Sequence, residues 1–200
     1  MTRSTSIALI DRFAGDRSAP LDLLWIVGFS LLTALLAQIE IRVPLMPIPW
    51  TGQTFAVLLS GAVLGSRRGF SSQLLYLAQG AAGLPVFAGG GYSLAHLLGP
   101  AGGYLWCFPV AAGVVGWLVE RGAARSIVRL GLALIIADAL ILISGTSWLC
   151  FFLGISLRQA APLGIYPFWV GEVVKIALVG LTLPAALKLV EHRTSQGPER

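Results

Sequence analysis

Long apolar runs recur along almost the whole chain, separated by short polar stretches. A helix needs about 20 mostly apolar residues to cross the hydrocarbon core of a bilayer. Only 12% of the residues are charged, whereas a soluble domain usually carries about 25%. With so few charges, the chain lacks the polar surface that a soluble fold presents to water. The sequence therefore predicts an all-α integral membrane protein.

The apolar runs predict a compact bundle of six transmembrane helices. Backbone polar groups in hydrocarbon must be satisfied within the protein, and the alternating pattern of barrel strands is not visible, so helices are the expected spans. We expect one membrane domain at 23–190, between tails at 1–22 and 191–200. The helices are expected at about 23–41, 54–65 with an extension at 48–53, 70–86, 102–119, 127–149 and 166–190.

Lys and Arg are unequally divided between the two ends of the predicted helices. With the N-terminus inside, only Arg42 and Arg158 fall on the outer side, and Lys175 lies within a helix. Because basic loops stay in the cytoplasm, both termini are expected on the cytoplasmic side of the cell membrane. The net charge of +5 thus reflects topology, and the expected partner is the lipid bilayer, not nucleic acid. The predicted cytoplasmic set is Arg3, Arg12, Arg17, Arg67, Arg68, Arg121, Arg125, Arg129, Lys188, Arg193 and Arg200.

Cysteine and histidine give no sign of a metal site or a disulfide. Cys107 and Cys150 lie in apolar runs and are interpreted as small buried side chains. His96 and His192 are too far apart in the sequence to suggest a ligand cluster. The sequence also lacks a pattern typical of catalytic residues, so we expect neither an enzyme nor a cofactor.

Small residues mark one side of the first predicted helix, where Ser30, Ala34 and Ala37 recur. Small side chains let helix backbones approach closely in lipid. Two interpretations remain open at this point. The residues pack within the bundle, or they form a docking face for another membrane protein.

Two connections on the predicted outer side are unusual. The segment 42–53 holds three prolines, which fix φ and remove backbone donors, so an extended apolar segment is expected. It is either a lid over a cavity or a plug at the end of the bundle. The second connection contains a glycine run at 89–91, which allows close backbone approach to a ligand, although a flexible loop has the same composition.

Charged residues inside the predicted sixth helix are the strongest sign of function. Glu172 and Lys175 are three residues apart and so share one face of that helix. Charges within a membrane span are costly and usually functional. The two residues are either a structural ion pair or part of a ligand site. Asp138, near the middle of the fifth helix, is either a packed polar partner or a pocket residue.

These segments together resemble the BioY family, the biotin-binding S-components of energy-coupling-factor (ECF) transporters. The resemblance covers about residues 31–188. The matching segments are the VP…TGQT region at 44–53, GAVLGSRRG at 61–69, QLLYLAQGAAGLPVF at 73–87, GPAGGY at 99–104 and GEVVK at 171–175. This chain departs from the family pattern at Glu172, where the family has Asp, and at Ala101, where it has Thr.

The resemblance implies a six-helix S-component that captures biotin from the outer side and supports biotin uptake. An S-component for a related small vitamin or a biotin precursor is the alternative. The implied partners are a membrane coupling protein of the ECF transporter and two ATPase subunits, which would supply the ATP hydrolysis. A membrane enzyme and a purely structural subunit are the competing classes. The candidate biotin-binding residues are Glu172, Lys175, Gln53, Tyr104, Trp50, Phe87, Gly90, Trp169 and Asp138.

Overall fold

The computed structural model describes residues 18–44 and 46–195, with the backbone alone described for residues 184–195. Eight α-helices account for most of this part of the chain. They are α1 (Ala19–Ala37), α2 (Gln53–Leu64), α3 (Ser66–Ala81), α4 (Leu94–Leu97), α5 (Gly102–Glu120), α6 (Ile127–Leu153), α7 (Leu157–Gly164) and α8 (Trp169–Ser195). The tail residues Arg3, Arg12, Arg17 and Arg200, and the side chains of Lys188 and Arg193, lie outside the described part.

The connection after α1 folds back on itself as a short antiparallel hairpin. Strand β1 (Glu40–Ile41) pairs with β2 (Trp50–Thr51), and Glu40 lies opposite Thr51. The predicted helical extension at 48–53 is therefore wrong, because β2 occupies part of it. Pro49 lacks the backbone N–H that a helix would use and precedes this strand directly.

Helix α5 is the centre of the bundle and packs against α2, α3 and α6. In the most apolar 18-residue stretch of α5, 67% of the residues are buried, whereas in that of α1 only 11% are buried. Helix α1 therefore lies at the periphery of the bundle. Glycines permit the close approach of the helix backbones around α5. A Cβ on Gly116 would overlap the backbone of Gly65 and Ser66, and one on Gly61 would overlap Ala112.

The small residues of α1 face inward. Ser30, Ala34 and Ala37 are all buried, in a helix that packs on α3 and α2. The Ser30 hydroxyl donates to the carbonyl of Val27 at 2.8 Å within its own helix. In the described structure these three residues therefore pack within the bundle, and the docking face stays a prediction.

Helices corresponding to all six predicted helices are present, as α1, α2, α3, α5, α6 and α8. Among the described residues, α1, α5 and α6 are long and apolar enough to cross a membrane, and α7 with α8 makes a fourth candidate bent by 53°. Helix α2, with 12 residues, is shorter. The structure thus confirms a largely helical membrane bundle, whereas the number of six spans stays a prediction.

Candidate functional site

A cavity of about 690 Å³ lies at the end of the bundle where α2, α5 and α8 meet the hairpin. This volume falls within the range of about 300–1,000 Å³ that is usual for small-molecule sites. The proline segment between β1 and β2 lines one side through Pro44, Pro47 and Pro49. Of the two interpretations of that segment, the structure favours a wall or lid over a cavity.

The polar floor of the cavity is formed by Thr54, Glu172 and Lys175, which we call the floor triad. The Lys175 ammonium donates to Glu172 Oε1 at 2.7 Å and to Thr54 Oγ1 at 2.7 Å. Thr54 in turn donates its hydroxyl proton to Glu172 Oε2 at 2.8 Å. Since all three side chains line the cavity, the predicted pair is both an ion pair and a cavity surface.

Thr54 was not among the residues predicted from the sequence. It lies in the first turn of α2, and its hydroxyl joins α2 to α8 through the two charges. The signal was present in the TGQT segment at 51–54. A threonine in an apolar helix more often bonds to its own backbone, so its residue type alone did not single out Thr54.

Gln53 and Tyr104, two of the predicted biotin-binding residues, line the cavity, but their polar groups already have partners in the protein. The Gln53 amide donates to the Tyr76 hydroxyl at 2.6 Å, and its carbonyl oxygen accepts from Thr51 at 2.8 Å. The Tyr104 hydroxyl donates to the carbonyl of Gly164 at 2.8 Å. Their immediate role is therefore to fix the wall, and the ring of Tyr104 offers an apolar face.

The remaining aromatic wall differs from the prediction. Phe108 and Phe168 line the cavity, and Phe168 packs against Tyr104 with ring centroids 6.1 Å apart. Trp50 lies behind Phe168, at 6.3 Å, and does not itself line the cavity. Trp169, the first residue of α8, is 61% exposed and does not line the cavity.

Phe87 and Gly90 support the cavity from outside its wall. Phe87 is fully buried, and its ring stacks on the His96 ring, which does line the cavity, at 5.0 Å. The backbone N–H of Gly90 donates to the side chain of Gln38 at 3.1 Å. The glycine run therefore forms a defined turn that is tied to the end of α1. Ala88, the residue before the run, lines the cavity.

Asp138 lies beneath the floor and outside the lining. It is one helical turn before Ile141 and Leu142, which do line the cavity. Its carboxyl group is buried and within electrostatic reach of Glu172 and Lys175. Among the described residues, its Oδ1 atom has no hydrogen-bond partner. The structure thus makes Asp138 a buried neighbour of the floor triad.

Comparison with known proteins gives one consistent result. The model of the BioY family matches residues 11–192. A Pyrococcus horikoshii protein named "Probable biotin transporter BioY" is 42% identical over 74% of this chain and 85% of its own length. "Biotin transporter BioY2" of Lactococcus lactis is 36% identical over 76% of this chain and 83% of its own length.

The fold also matches a solved structure. A crystal structure described as the S-component for biotin from an ECF-type ABC transporter superposes with a TM-score of 0.79. The match covers 86% of this chain and 95% of the other, at 22% sequence identity. At that identity the comparison shows that the two chains share a fold.

Proposed function

The chain belongs to the BioY family, and from this premise we propose that it binds biotin and serves biotin uptake across the membrane. The relatives named above are biotin transporters by name. The observation that carries the proposal is the floor triad, in which a buried carboxylate and an ammonium line a cavity of about 690 Å³.

The chemistry of biotin suits this floor. The ureido ring has two N–H donors and one carbonyl acceptor, and the rest of the molecule is an apolar thioether ring and an aliphatic chain. Glu172 would accept from the N–H groups, and Lys175 would donate to the ureido oxygen. Because acceptor and donor belong to one hydrogen-bonded group, they are already oriented before the ligand enters. Tyr104, Phe108 and Phe168 supply apolar walls for the ring.

The chain would act as the S-component of an ECF-type transporter, with a membrane coupling protein and two ATPase subunits as partners. We propose six spans with both termini in the cytoplasm. Hydrogen bonds and ion pairs support this orientation, since Arg68 contacts Asp22 at 2.8 Å and Glu120 accepts from the Ser66 backbone at 2.8 Å. These contacts gather basic segments of α3 and α5 at the end of the bundle that carries the start of α1.

A related ligand is the second candidate, favoured by Glu172 in place of the family's Asp. The extra methylene of Glu reaches further into the cavity, which would suit a ligand that fills the floor less completely. A biotin precursor that keeps the ureido ring but lacks the thioether ring has this property.

Uptake by biotin-auxotrophic cells tests the proposal. Cells that express the chain with its coupling protein and ATPases are expected to accumulate labelled biotin, and the Lys175→Met variant is expected to lose most of that uptake. Excess unlabelled precursor distinguishes the second candidate if it competes better than unlabelled biotin. Equal uptake by cells with wild type, with Lys175→Met and with no S-component would contradict the function.

A further inference from the structure

A second buried carboxyl group lies directly beneath the floor triad. Asp138, on α6, is 5% exposed, and its carboxyl group lies within hydrogen-bonding reach of the Glu172 carboxylate on α8. Helices α6 and α8 pack against each other. Because Asp138 does not line the cavity, a ligand on the floor would not contact it directly. Any effect of Asp138 on such a ligand therefore passes through the triad.

Asp138 lacks the hydrogen-bond donors that an ionised carboxylate needs when it is buried. Among the described residues, its Oδ1 atom has no hydrogen-bond partner. Glu172, by contrast, accepts from Lys175 at 2.7 Å and from Thr54 at 2.8 Å. The Lys175 ammonium uses a second donor on Thr54. A buried carboxylate without donors is strongly unfavourable, whereas a protonated carboxyl group is itself a donor.

The charges around Asp138 favour the same protonation state. The charged groups that act on it are Glu172 and Lys175, both on α8. Helix α5 also packs against α6, and its titratable side chains Tyr104 and Cys107 are uncharged at neutral pH. Lys175 balances one carboxylate, that of Glu172, at 2.7 Å. An ionised Asp138 would add a net negative charge to the buried group, beside a like charge.

We propose that Asp138 is a positioning residue that carries a proton and donates a hydrogen bond to the Glu172 carboxylate from beneath the floor. This inference rests on the proposed function and adds a residue that prepares the floor for biotin. The hydrogen bond fixes the Glu172 side chain and satisfies Asp138 without Lys175. The third donor of the Lys175 ammonium therefore stays available for the ureido oxygen, whereas an ionised Asp138 would compete for it.

Two substitutions at position 138 separate a proton donor from an ionised carboxylate. Asp138→Asn keeps the size of the side chain and a donor for Glu172, so calorimetric affinity for biotin should stay within about threefold of wild type. Asp138→Leu removes the donor and should weaken biotin about tenfold or more, the scale of a hydrogen bond to a charged group. The matched control is Asp22→Asn, in an aspartate that pairs with Arg68 at the other end of the bundle, and it should bind as wild type.

Infrared spectroscopy detects the proton itself and needs no ligand. Purified wild type at neutral pH should show the carbonyl band of a buried, protonated carboxyl group. Asp138→Asn should lose this band, and Asp22→Asn should retain it. A side chain that only fills space beneath the floor would give no such band, so this measurement separates the proposed role from simple packing.

Equal loss of affinity in Asp138→Asn and Asp138→Leu would show that the floor needs an ionised Asp138 and would overturn the proposal. Wild-type affinity in Asp138→Leu would overturn the positioning role, and a spectrum that Asp138→Asn leaves unchanged would overturn the assignment of the proton. If Asp138→Leu does not fold, the affinity of Asp138→Asn and the infrared band decide. If wild type binds no biotin, the biotin function fails and the positioning role fails with it, whereas the band still shows whether Asp138 carries a proton.

Discussion

At the scale of single residues, the three side chains of the floor triad satisfy one another's hydrogen-bonding groups. Glu172 is 4% exposed, and its two carboxylate oxygens accept from Lys175 and Thr54. Removing one member leaves a buried charge or acceptor without its partner, which costs more than the hydrogen bond itself contributes. If the same residues bind the ligand, as proposed, stability and binding are coupled at this site.

Glu172→Gln and Lys175→Met are each expected to weaken biotin binding by at least about 1.5–3 kcal/mol, the usual contribution of a hydrogen bond to a charged group. Isothermal titration of the purified variants measures this change. The double variant separates the two interpretations of the pair. If the pair is only structural, removing both charges leaves neither buried alone, and affinity should return towards wild type. If the pair holds biotin, the double variant should fold but bind no better than the weaker single variant.

His96 predicts a pH dependence of stability. Burial lowers the pKa of His96 below its ordinary value of 6.5, because the charged imidazolium loses hydration beside Phe87. The unfolded chain therefore binds the proton more tightly. The contribution of the neutral His96 side chain to the free energy of unfolding is fully present above about pH 6.5. It is lost as the pH falls towards the lowered pKa of the folded state. The unfolding temperature in detergent should fall between pH 7.5 and 5.5, and less steeply in His96→Phe. Equal slopes in the two proteins would contradict this role.

Sequence reasoning found the charged pair because charges in an apolar helix are conspicuous. It missed Thr54 and selected Trp169 in place of Phe168, because a helical span does not reveal which of two adjacent aromatic residues faces inward. It also placed Trp50, Phe87 and Gly90 at the ligand. These residues lie one layer behind the wall, and only the folded path of the outer connections separates the two layers.

At the scale of elements, glycines decide how closely the helices pack. Gly116 and Gly113 lie on the same helix, α5, but in different surroundings. A Cβ on Gly116 would overlap the backbone where α2 meets α3, whereas a Cβ on Gly113 would lie at ordinary contact distance, 3.6 Å, from Phe70. Backbone atoms cannot move aside as the end of a side chain can.

Gly116→Ala is therefore expected to destabilise the bundle by about 1–3 kcal/mol, the usual cost of overpacking. Gly113→Ala is the matched control and should be neutral, or more stable by up to about 1 kcal/mol, since alanine favours the helix. Thermal unfolding of both variants in the same detergent measures the difference. Equal unfolding temperatures would show that the junction of α2 and α3 moves freely away from α5.

The long helices were predictable from apolar length, whereas the short elements were not. The hairpin pairs only two residues from each strand, and α4 has four residues. Elements this short carry little signal of their own, and packing at the end of the bundle determines them. Helix α3 was predicted to continue to residue 86 but ends at Ala81. Two residues later Gly83 adopts a φ of +100°, which lies outside the helical region.

At the scale of the whole molecule, the two ends of the bundle differ. One end carries the cavity, the hairpin and the glycine turn. The other carries Arg68 with Asp22 and the cation–π contact of Arg121 over Trp117, at 3.5 Å. The sequence predicts this second end to be cytoplasmic, because Lys and Arg mark the cytoplasmic side. The cavity itself was not predictable from the sequence, because it is formed by side chains from five helices and from the connections between them.

A cysteine at position 158 tests the orientation. Arg158 is exposed in α7 and is expected outside, and Arg121 is exposed at the end of α5 and is expected inside. With Cys107 and Cys150 first replaced by alanine, Arg158→Cys should react with an impermeant thiol reagent in intact cells. Arg121→Cys should react only after lysis. The reverse pattern would invert the topology and place the cavity on the cytoplasmic side.

The most direct test of the account is calorimetric titration of biotin into the purified chain, without its partner subunits. Wild type is expected to show saturable binding of one biotin per chain, and the Glu172→Gln/Lys175→Met double variant is expected to bind no better than the weaker single variant. The double variant is also expected to unfold cooperatively, which shows that the loss belongs to the site. Wild-type affinity in a folded double variant would contradict the central claim that the floor triad binds biotin.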